Sequence, residues 1–250
     1  MNIEFGIGTA TFHKFLQDSN SLPMFLSSLE LDKIRYIDTA PIYAHGKAEF
    51  LLGKHLREKE NLRIISKVGL KYTFSTNLGF KIPKGKGLYF QAFPEKIEKT
   101  HIKKFKHSIK NSLKNLKLDS LHGLLVHSFV ESPTSEDQLS ALFELKQQGI
   151  VEKIGISVDS ELTVPPKGLD IIEAPVSLLT DQLLRNHQGK LIVNSILKTN
   201  IQTLEWKKFA ELNIEEIILL CGSTKPERVN NFINYWGRDF ISTGYSKKNG

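Results

Sequence analysis

Short apolar runs alternate with amphipathic segments along the whole chain. Eight mostly aliphatic runs have the length of strands, at residues 3–9, 34–38, 62–67, 121–127, 153–157, 169–174, 190–196 and 216–221. Apolar residues at three- and four-residue steps predict helices at 21–33, 46–59, 98–117, 135–148, 179–187, 203–213 and 225–235, with only a weak segment after the fifth run. This alternation predicts an α/β fold, a single (β/α)8 TIM barrel domain spanning residues 1–250.

One long segment departs from this alternation. Residues 69–95 are rich in Gly, Lys and aromatic side chains and show no clear periodicity. They predict a long loop after the third strand, which could act as a lid over a site or as a surface excursion packed by its own aromatics.

Composition is that of an ordinary soluble protein. The chain is 40% hydrophobic and 24% charged, and it has no apolar stretch long enough to span a bilayer. Its N-terminus lacks the features of a secretory signal. A single cysteine, Cys221, excludes an internal disulfide, and no Cys/His group has zinc-ligand spacing. We expect a cytoplasmic protein with no membrane partner and no bound metal.

The net charge of +7 is concentrated in one segment. Residues 96–117 contain eight lysines and one glutamate, an excess equal to that of the whole chain. The apolar residues of this segment form one helical stripe, so the lysines fall on the opposite face. Aromatic residues that could stack on bases do not alternate with the lysines. A solvated helix face is therefore the preferred interpretation, and we expect no nucleic-acid partner.

Four unlike titratable residues lie at or just after the ends of predicted strands. They are Asp38, Tyr43, Lys67 and His127. In a barrel, the carboxyl ends of all strands open onto one rim, so these side chains are expected to meet there. Each one taken alone also has a structural interpretation, such as a helix cap, a core aromatic, a surface charge or a satisfied core histidine.

Together, the four residues suit the reduction of a carbonyl group. The developing alkoxide needs a proton donor, and a tyrosine with an ordinary pKa of about 10 is a weak acid at neutral pH. Lys67 could lower the pKa of Tyr43, and Asp38 could hold Lys67 by an ion pair. His127 could then orient the substrate oxygen or assist proton transfer.

Several separate segments resemble the aldo-keto reductase family, and they occur in the family's order. The matching segments are 6–10, 37–53, 66–67, 112–116, Asp119, His127, 149–157 and 222–228. The resemblance implies a TIM barrel. It also implies that Tyr43 is the general acid and base and that Asp38, Lys67 and His127 complete a catalytic tetrad.

The resemblance further implies a nicotinamide cofactor, NADP(H) with NAD(H) as the alternative, bound without a dinucleotide fold. In agreement, the chain has Thr11 where a Gly-x-Gly-x-x-Gly motif would need its third glycine. The residues expected to bind the cofactor are Gly8, Thr9, Asp38, Ser157, Glu173, Ser195, Leu197, Gly222, Ser223, Thr224 and Arg228. Among these, Arg228 is expected to bind the 2′-phosphate.

The chain differs from many members of that family on the nicotinamide side. Val158 stands where many have Asn, Glu173 stands where many have Gln, and the region between the seventh and eighth strands, from Ser195 to Cys221, is shortened. These differences leave a second function open, a catalytically weak nucleotide-binding or sensor module on the same barrel.

The substrate is expected to be a small-molecule carbonyl compound or a sugar. Residues 67–69, Lys-Val-Gly, resemble a branch of sugar and aldose dehydrogenases. An NAD(P)-dependent aldose 1-dehydrogenase is therefore the alternative to an NADP(H)-dependent aldehyde or ketone reductase. We expect a monomer or a weak homo-oligomer.

Overall fold

A closed barrel of parallel strands forms the centre of the molecule. The computed structural model describes residues 2–16, 18, 20–55, 61–72, 94–96, 102–131, 135–198, 214 and 216–242. In chain order the strands are β1 (Asn2–Gly8), β2 (Ile34–Asp38), β3 (Arg63–Val68), β4 (Leu70–Tyr72), β5 (Pro94–Lys96), β6 (Leu121–Val126), β7 (Val151–Ser157), β8 (Ile171–Pro175), β9 (Lys190–Asn194) and β10 (Glu216–Cys221). All except β4 and β5 belong to the barrel, in the order β1-β10-β9-β8-β7-β6-β3-β2. The predicted (β/α)8 fold is confirmed.

The helices follow the barrel strands. They are α1 (Ser21–Ser27), α2 (Ala48–His55), α3 (Ile102–Leu116), α4 (Ser135–Gln147), α5 (Asp181–Arg185) and α6 (Pro226–Ser242). Residues 158–170, after β7, contain neither helix nor strand, as the weak amphipathic pattern there indicated. The helix predicted at 203–213 lies outside the described residues.

The helix predicted at 21–33 is shorter in the structure. α1 ends at Ser27, and Leu31–Lys33 form a separate 3-10 turn. The hydroxyls of Ser27 and Ser28 both donate to the carbonyl oxygen of Met24, at 2.9 and 2.8 Å. Such local side-chain bonds compete with the helical backbone pattern and favour termination.

The core has two layers. One cluster fills the barrel interior and consists of Tyr36, Ile65, Leu125, Ile171, Ile192, Ile218 and Leu220. A larger cluster of aliphatic and aromatic side chains packs between the outer face of the barrel and the helices. Because both faces of each parallel strand are buried, the strands appear in the sequence as continuous apolar runs.

The lysine-rich segment forms α3. Phe105 and Ile109 are buried against the barrel, whereas Lys110 and Lys114 are exposed, which confirms the predicted amphipathic helix. Lys106 pairs with Glu144 of α4 at 2.7 Å, and both side chains remain largely exposed. None of the described helices is long and apolar enough to cross a membrane.

A small antiparallel sheet forms the two ends of the long segment after β3. β4 pairs with β5, with Leu70 opposite Lys96 and Tyr72 opposite Pro94. The segment predicted as a loop from residue 69 therefore begins and ends in paired strands. Residues 73–93, most of the predicted loop, and residues 199–213, in the region predicted to be shortened, lie outside the described residues.

A buried polar cluster closes the amino-terminal end of the barrel. The phenol of Tyr36 donates to Glu216 at 2.5 Å and accepts hydrogen bonds from Arg63 at 2.8 Å and Lys190 at 3.1 Å. Lys190 also donates to Glu216 at 3.2 Å. Arg63, Lys190 and Glu216 are each the first residue of their strand, so their charges lie together at this end of the barrel.

Candidate active site

The candidate site lies one layer above the apolar interior, at the carboxyl ends of the strands. Side chains alternate between the two faces of a strand, so a residue two positions after an inward-facing one also faces inward. Five polar residues follow members of the interior cluster by two positions: Asp38 after Tyr36, Lys67 after Ile65, His127 after Leu125, Glu173 after Ile171 and Asn194 after Ile192. The regular register of the barrel therefore directs all five toward its axis.

Backbone hydrogen bonds continue beyond the strand ends and fix the residues at the rim. The Thr39 amide donates to the Ile65 carbonyl at 2.9 Å, and the His127 amide donates to the Val68 carbonyl at 2.7 Å. The residues that immediately follow β2 and β6 are thus hydrogen-bonded to the backbone of β3, as residues inside the strands are.

Lys67 lies at the centre of the site. It is completely buried, and its ammonium forms ion pairs with the carboxylates of Asp38 and Glu173, the second at 3.1 Å. Glu173 in turn accepts a hydrogen bond from the Asn194 amide nitrogen at 2.9 Å. One cation therefore serves two buried carboxylates that come from opposite sides of the barrel.

Tyr43 reaches the same group from the loop after β2. It begins the 3-10 turn Tyr43–Gly46, and the centroid of its ring lies 5.2 Å from the Lys67 ammonium nitrogen. The ring meets that of His127 edge to face, with centroids 5.7 Å apart and an interplanar angle of 89°. The structure thus brings together all four residues that the sequence placed at strand ends.

Burial and neighbouring charges shift the pKa values of Asp38, Lys67, Tyr43 and His127. Burial raises the pKa of Asp38 and the charge of Glu173 adds to this effect, whereas Lys67 opposes both. For Lys67, burial alone would lower the pKa, but the two carboxylates outweigh burial and raise it well above its usual range. Lys67 is therefore an ammonium at neutral pH.

The aromatic residues are neutral in this environment. Burial raises the pKa of Tyr43 above its ordinary value; Lys67 lowers it, but Asp38 and Glu173 raise it further. The expectation that Lys67 lowers the pKa of Tyr43 thus holds for the lysine's own contribution and is wrong for the net shift. Burial, helped by the charge of Lys67, lowers the pKa of His127 to about 3. The site therefore presents a protonated phenol beside an uncharged imidazole.

A buried glutamate outside the predicted site, Glu49, contacts β3 from the helix layer. Glu49 of α2 is 1% exposed and accepts a hydrogen bond from the Ser66 hydroxyl at 2.6 Å. Ser112 and Asn115 of α3 also hydrogen-bond to this carboxyl group. Because Ser66 directly precedes Lys67, these contacts fix the part of β3 that carries the lysine.

Three non-glycine residues near the site have positive φ angles. They are Ala44 at 51°, Ser128 at 51° and Ser195 at 59°. Each follows directly on Tyr43, His127 or Asn194. Non-glycine residues in this conformation cost about 1–3 kcal/mol each and are concentrated at functional sites.

The residues predicted to bind a cofactor are distributed around the same rim. Gly8 ends β1, Ser157 ends β7, Ser195 and Leu197 follow β9, and 222–224 connect β10 to α6. Arg228 lies in the first turn of α6, where its side chain is exposed.

Two buried polar atoms without a hydrogen-bond partner among the described residues belong to residues that directly follow the rim positions Gly8 and Asp38. The hydroxyls of Thr9 and Thr39 are buried and have no hydrogen-bond partner within the described residues. A buried hydroxyl without a partner is costly, so a bound group or an ordered water would stabilise each of them. These hydroxyls fit a polar cofactor, and the exposed Arg228 side chain fits a phosphate group.

Similarity to known proteins agrees with this geometry. The model of the Aldo/keto reductase family matches residues 4–207, most of the chain. The chain belongs to the aldo/keto reductase family. This confirms the resemblance seen in the sequence, and members of the family are NAD(P)H-dependent oxidoreductases. No curated protein has a significantly similar sequence.

Solved structures of aldo/keto reductases share the fold at low sequence identity. A Pseudomonas aeruginosa protein described as an aldo-keto reductase has a TM-score of 0.70 and 19% identity, and the match covers 94% of this chain and 89% of that protein. An aldo-keto reductase from Bacillus halodurans in its holo form has a TM-score of 0.64 and 17% identity, covering 92% and 85%. An aldo-keto reductase from Klebsiella pneumoniae in complex with NADPH has a TM-score of 0.57 and 16% identity, covering 95% and 88%.

Two features of this family member were not predicted from its sequence. The first is the ion pair between Lys67 and Glu173, which joins this predicted cofactor-binding residue to the cluster around Tyr43. Asn194, the hydrogen-bond partner of Glu173, was not predicted at all. The available signal was the two-residue spacing from Ile192, which becomes informative only once the inward-facing residues are known.

Proposed function

We propose that this aldo/keto reductase is an NADP(H)-dependent oxidoreductase that interconverts an aldehyde or ketone and its alcohol, with Tyr43 as the general acid and base. The observation that carries the proposal is the meeting of Tyr43, Lys67, Asp38 and His127 at one barrel rim in a member of this family. Bound NADP(H) would supply the hydride.

The protein side of the reaction follows from the charges around Tyr43. When a carbonyl carbon accepts a hydride, its oxygen becomes negative and takes a proton from the Tyr43 hydroxyl. The Lys67 ammonium, 5.2 Å from the ring centroid, stabilises the phenolate left behind. Asp38 holds that ammonium in place by its ion pair.

His127 has a separate role. Because its pKa is lowered to about 3, the imidazole is neutral under working conditions. A neutral imidazole can donate one N–H to the substrate oxygen without competing with Tyr43 as a proton source. The edge-to-face contact between the two rings keeps both donors on the same side of the site.

Binding of the cofactor is proposed at the rim formed by Thr9, Ser157 and the connection from β10 to α6. Ser223 Oγ accepts a hydrogen bond from the Lys225 amide at 3.1 Å, which shapes the turn before the helix. The exposed Arg228 guanidinium suits phosphate, which it can bind with two hydrogen bonds. This arrangement favours NADP(H) over NAD(H).

The direct test is NADPH oxidation with a panel of aldehydes, ketones and free sugars. The wild-type protein should turn over at least one carbonyl class, and Tyr43→Phe should lose activity by about 10²–10⁴-fold while still binding NADPH. The reverse assay, with NADP and free sugars, separates a reductase from an aldose 1-dehydrogenase. Equal rates for the wild type and Tyr43→Phe would refute the assigned role of Tyr43.

A second candidate is a nucleotide-binding or sensor module with weak turnover. Val158, at the position where an amide side chain was expected, is completely buried in the apolar cluster and offers no polar side-chain atom to a cofactor. Glu173 also raises the pKa of the proton donor. NADPH binding measured by intrinsic fluorescence, combined with no turnover on the whole panel, would favour this candidate.

A further inference from the structure

Glu173 introduces a second carboxylate into contact with the lysine of the site. Its side chain is 3% exposed, that of Asp38 is 4% exposed, and that of Lys67 is fully buried. If all three groups were ionised, the cluster would carry a net negative charge in a place without solvent. Two like charges that share one buried counterion are strongly disfavoured.

The hydrogen-bond pattern around Glu173 shows where a proton would reside. Oε1 accepts from Asn194 at 2.9 Å, so it is already used as an acceptor. Oε2, which faces Lys67, is buried and has no hydrogen-bond partner within the described residues. A proton held between Oε2 and Asp38 would satisfy this oxygen and would leave the three groups neutral overall.

We propose that Glu173 is a positioning residue that shares one proton with Asp38 around the Lys67 ammonium, so that release of this proton changes the charge sensed by Tyr43. With the proton in place, one carboxylate balances Lys67. Without it, two carboxylates face one cation. The negative charge of the second carboxylate then offsets the stabilisation that Lys67 gives to the phenolate of Tyr43. The titration belongs to the pair as a unit.

The charged groups around Tyr43 determine whether loss of the shared proton raises or lowers the pKa of this residue. Asp38 and Glu173 both raise the pKa of Tyr43, and Lys67 lowers it. Among the described residues, His127 is the remaining titratable group in this cluster, and it is neutral. By strand alternation, β1, β7, β9 and β10 present groups that do not titrate: Gly8, Ser157, Asn194 and Leu220.

The charge part of the proposal can be tested without any reaction. Carboxyl carbons labelled with ¹³C should show, in the free protein, that Asp38 titrates above the ordinary range of an aspartate. In Glu173→Gln, which keeps the size of the side chain and removes its charge, the midpoint of Asp38 should fall by about one unit or more. Glu144→Gln, an exposed glutamate on α4, should leave it unchanged.

The kinetic part rests on the proposed function. In the reduction direction Tyr43 must be protonated, so kcat/KM should fall on the alkaline side of its pKa. Glu173→Gln should move this alkaline limb to lower pH by about one unit, because one of the charges that raises the pKa of Tyr43 is gone. A change in substrate positioning alone would alter the level of kcat/KM and leave the limb in place.

The two arms separate the possible failures. An ordinary titration of Asp38 in the wild type, or an unchanged midpoint in Glu173→Gln, would overturn the shared proton whether or not the protein is active. A lowered midpoint without turnover on any carbonyl would support the shared proton and count against the proposed function. A lowered midpoint with an unmoved alkaline limb would overturn the link to Tyr43.

Discussion

The ammonium of Lys67 lies over the ring of Tyr43, 5.2 Å from its centroid, and is itself sealed from solvent. A cation in this position stabilises the phenolate, but here it also forms ion pairs with Asp38 and Glu173. The same lysine therefore supports both the chemistry of the site and the stability of the barrel. Removal of its charge has consequences that can be measured by unfolding as well as by activity.

Lys67→Met should be strongly destabilising at neutral and alkaline pH. Removing one partner of a buried ion pair leaves its counter-charge unpaired and costs about 3–5 kcal/mol. Burial raises the pKa of Asp38 and Lys67 opposes this shift, so without the lysine the pKa of Asp38 lies further above its value in the unfolded chain. The folded variant then binds more protons than the unfolded chain, and its stability rises as the pH falls. Its loss of stability relative to the wild type should therefore be smaller at pH of about 5 than at pH of about 8.

Urea unfolding at the two pH values measures this difference. Lys106→Met provides a matched control, because Lys106 pairs with Glu144 on the exposed surface. Its effect should stay within about 0.5 kcal/mol at both pH values. A loss of stability in Lys67→Met that does not vary with pH would contradict the buried carboxylate pair.

His127→Gln should make the free energy of unfolding depend less on pH below neutrality. The pKa of His127 is about 3 in the folded protein, against about 6.5 for an unperturbed histidine. Between these values the unfolded chain binds one more proton than the folded one, so the wild type loses stability as the pH falls. The slope due to this residue reaches about 1.4 kcal/mol per pH unit, and Gln removes it.

Unfolding free energies measured from neutral pH down to pH of about 4 provide the comparison. Burial also lowers the pKa values of His122 and His187, but both residues are present in wild type and variant and cancel in the difference. Parallel profiles for the two proteins would show that His127 is not held neutral by the fold.

The barrel was predictable because its pattern is local and repeated. Each strand is a short apolar run, and Asp38, Lys67 and His127 stand at or directly after the ends of theirs. The ends of helices were less predictable, since α1 stops where two serines bond back to Met24. Such a competition between side-chain and backbone bonds leaves no periodic signal.

The contact between Glu173 and Lys67 could not be predicted in the same way. β3 and β8 are not neighbours in the barrel, because β6 and β7 lie between them. Their side chains meet only across the barrel interior, and that depends on which residues of each strand face inward. The sequence runs are apolar on both faces, so they carry no alternation from which the inward face could be identified.

Arg228→Ala should weaken NADPH binding and leave NADH binding nearly unchanged. Arg228 is exposed on the first turn of α6, so its removal should not disturb the fold. Loss of a charge-assisted contact to the 2′-phosphate, which NADH lacks, corresponds to about a tenfold higher Kd, or about 1.4 kcal/mol. Fluorescence titration measures both affinities. Arg185→Ala, an exposed arginine in the last turn of α5, is the control, and equal losses for NADPH and NADH would contradict the assignment.

Tyr36→Phe should destabilise the barrel from its other end without altering the chemistry. The Tyr36 hydroxyl donates to Glu216 and accepts from Arg63 and Lys190, so Phe leaves three buried or partly buried polar groups short of one partner. The expected loss is about 1–3 kcal/mol in the free energy of unfolding. Tyr235→Phe is the matched control, because the Tyr235 side chain is half exposed on α6.

The Tyr36 cluster and the Tyr43 site occupy opposite ends of the same strands, with the apolar interior between them. Once the protein is folded, Tyr36→Phe should therefore retain the kcat of the wild type at temperatures well below its Tm. Thermal unfolding and steady-state rates on one protein preparation test both statements together. If Tyr36→Phe is as stable as the wild type, the polar cluster makes no net contribution to the free energy of unfolding. A lowered kcat with intact stability would show that the two ends of the barrel are coupled.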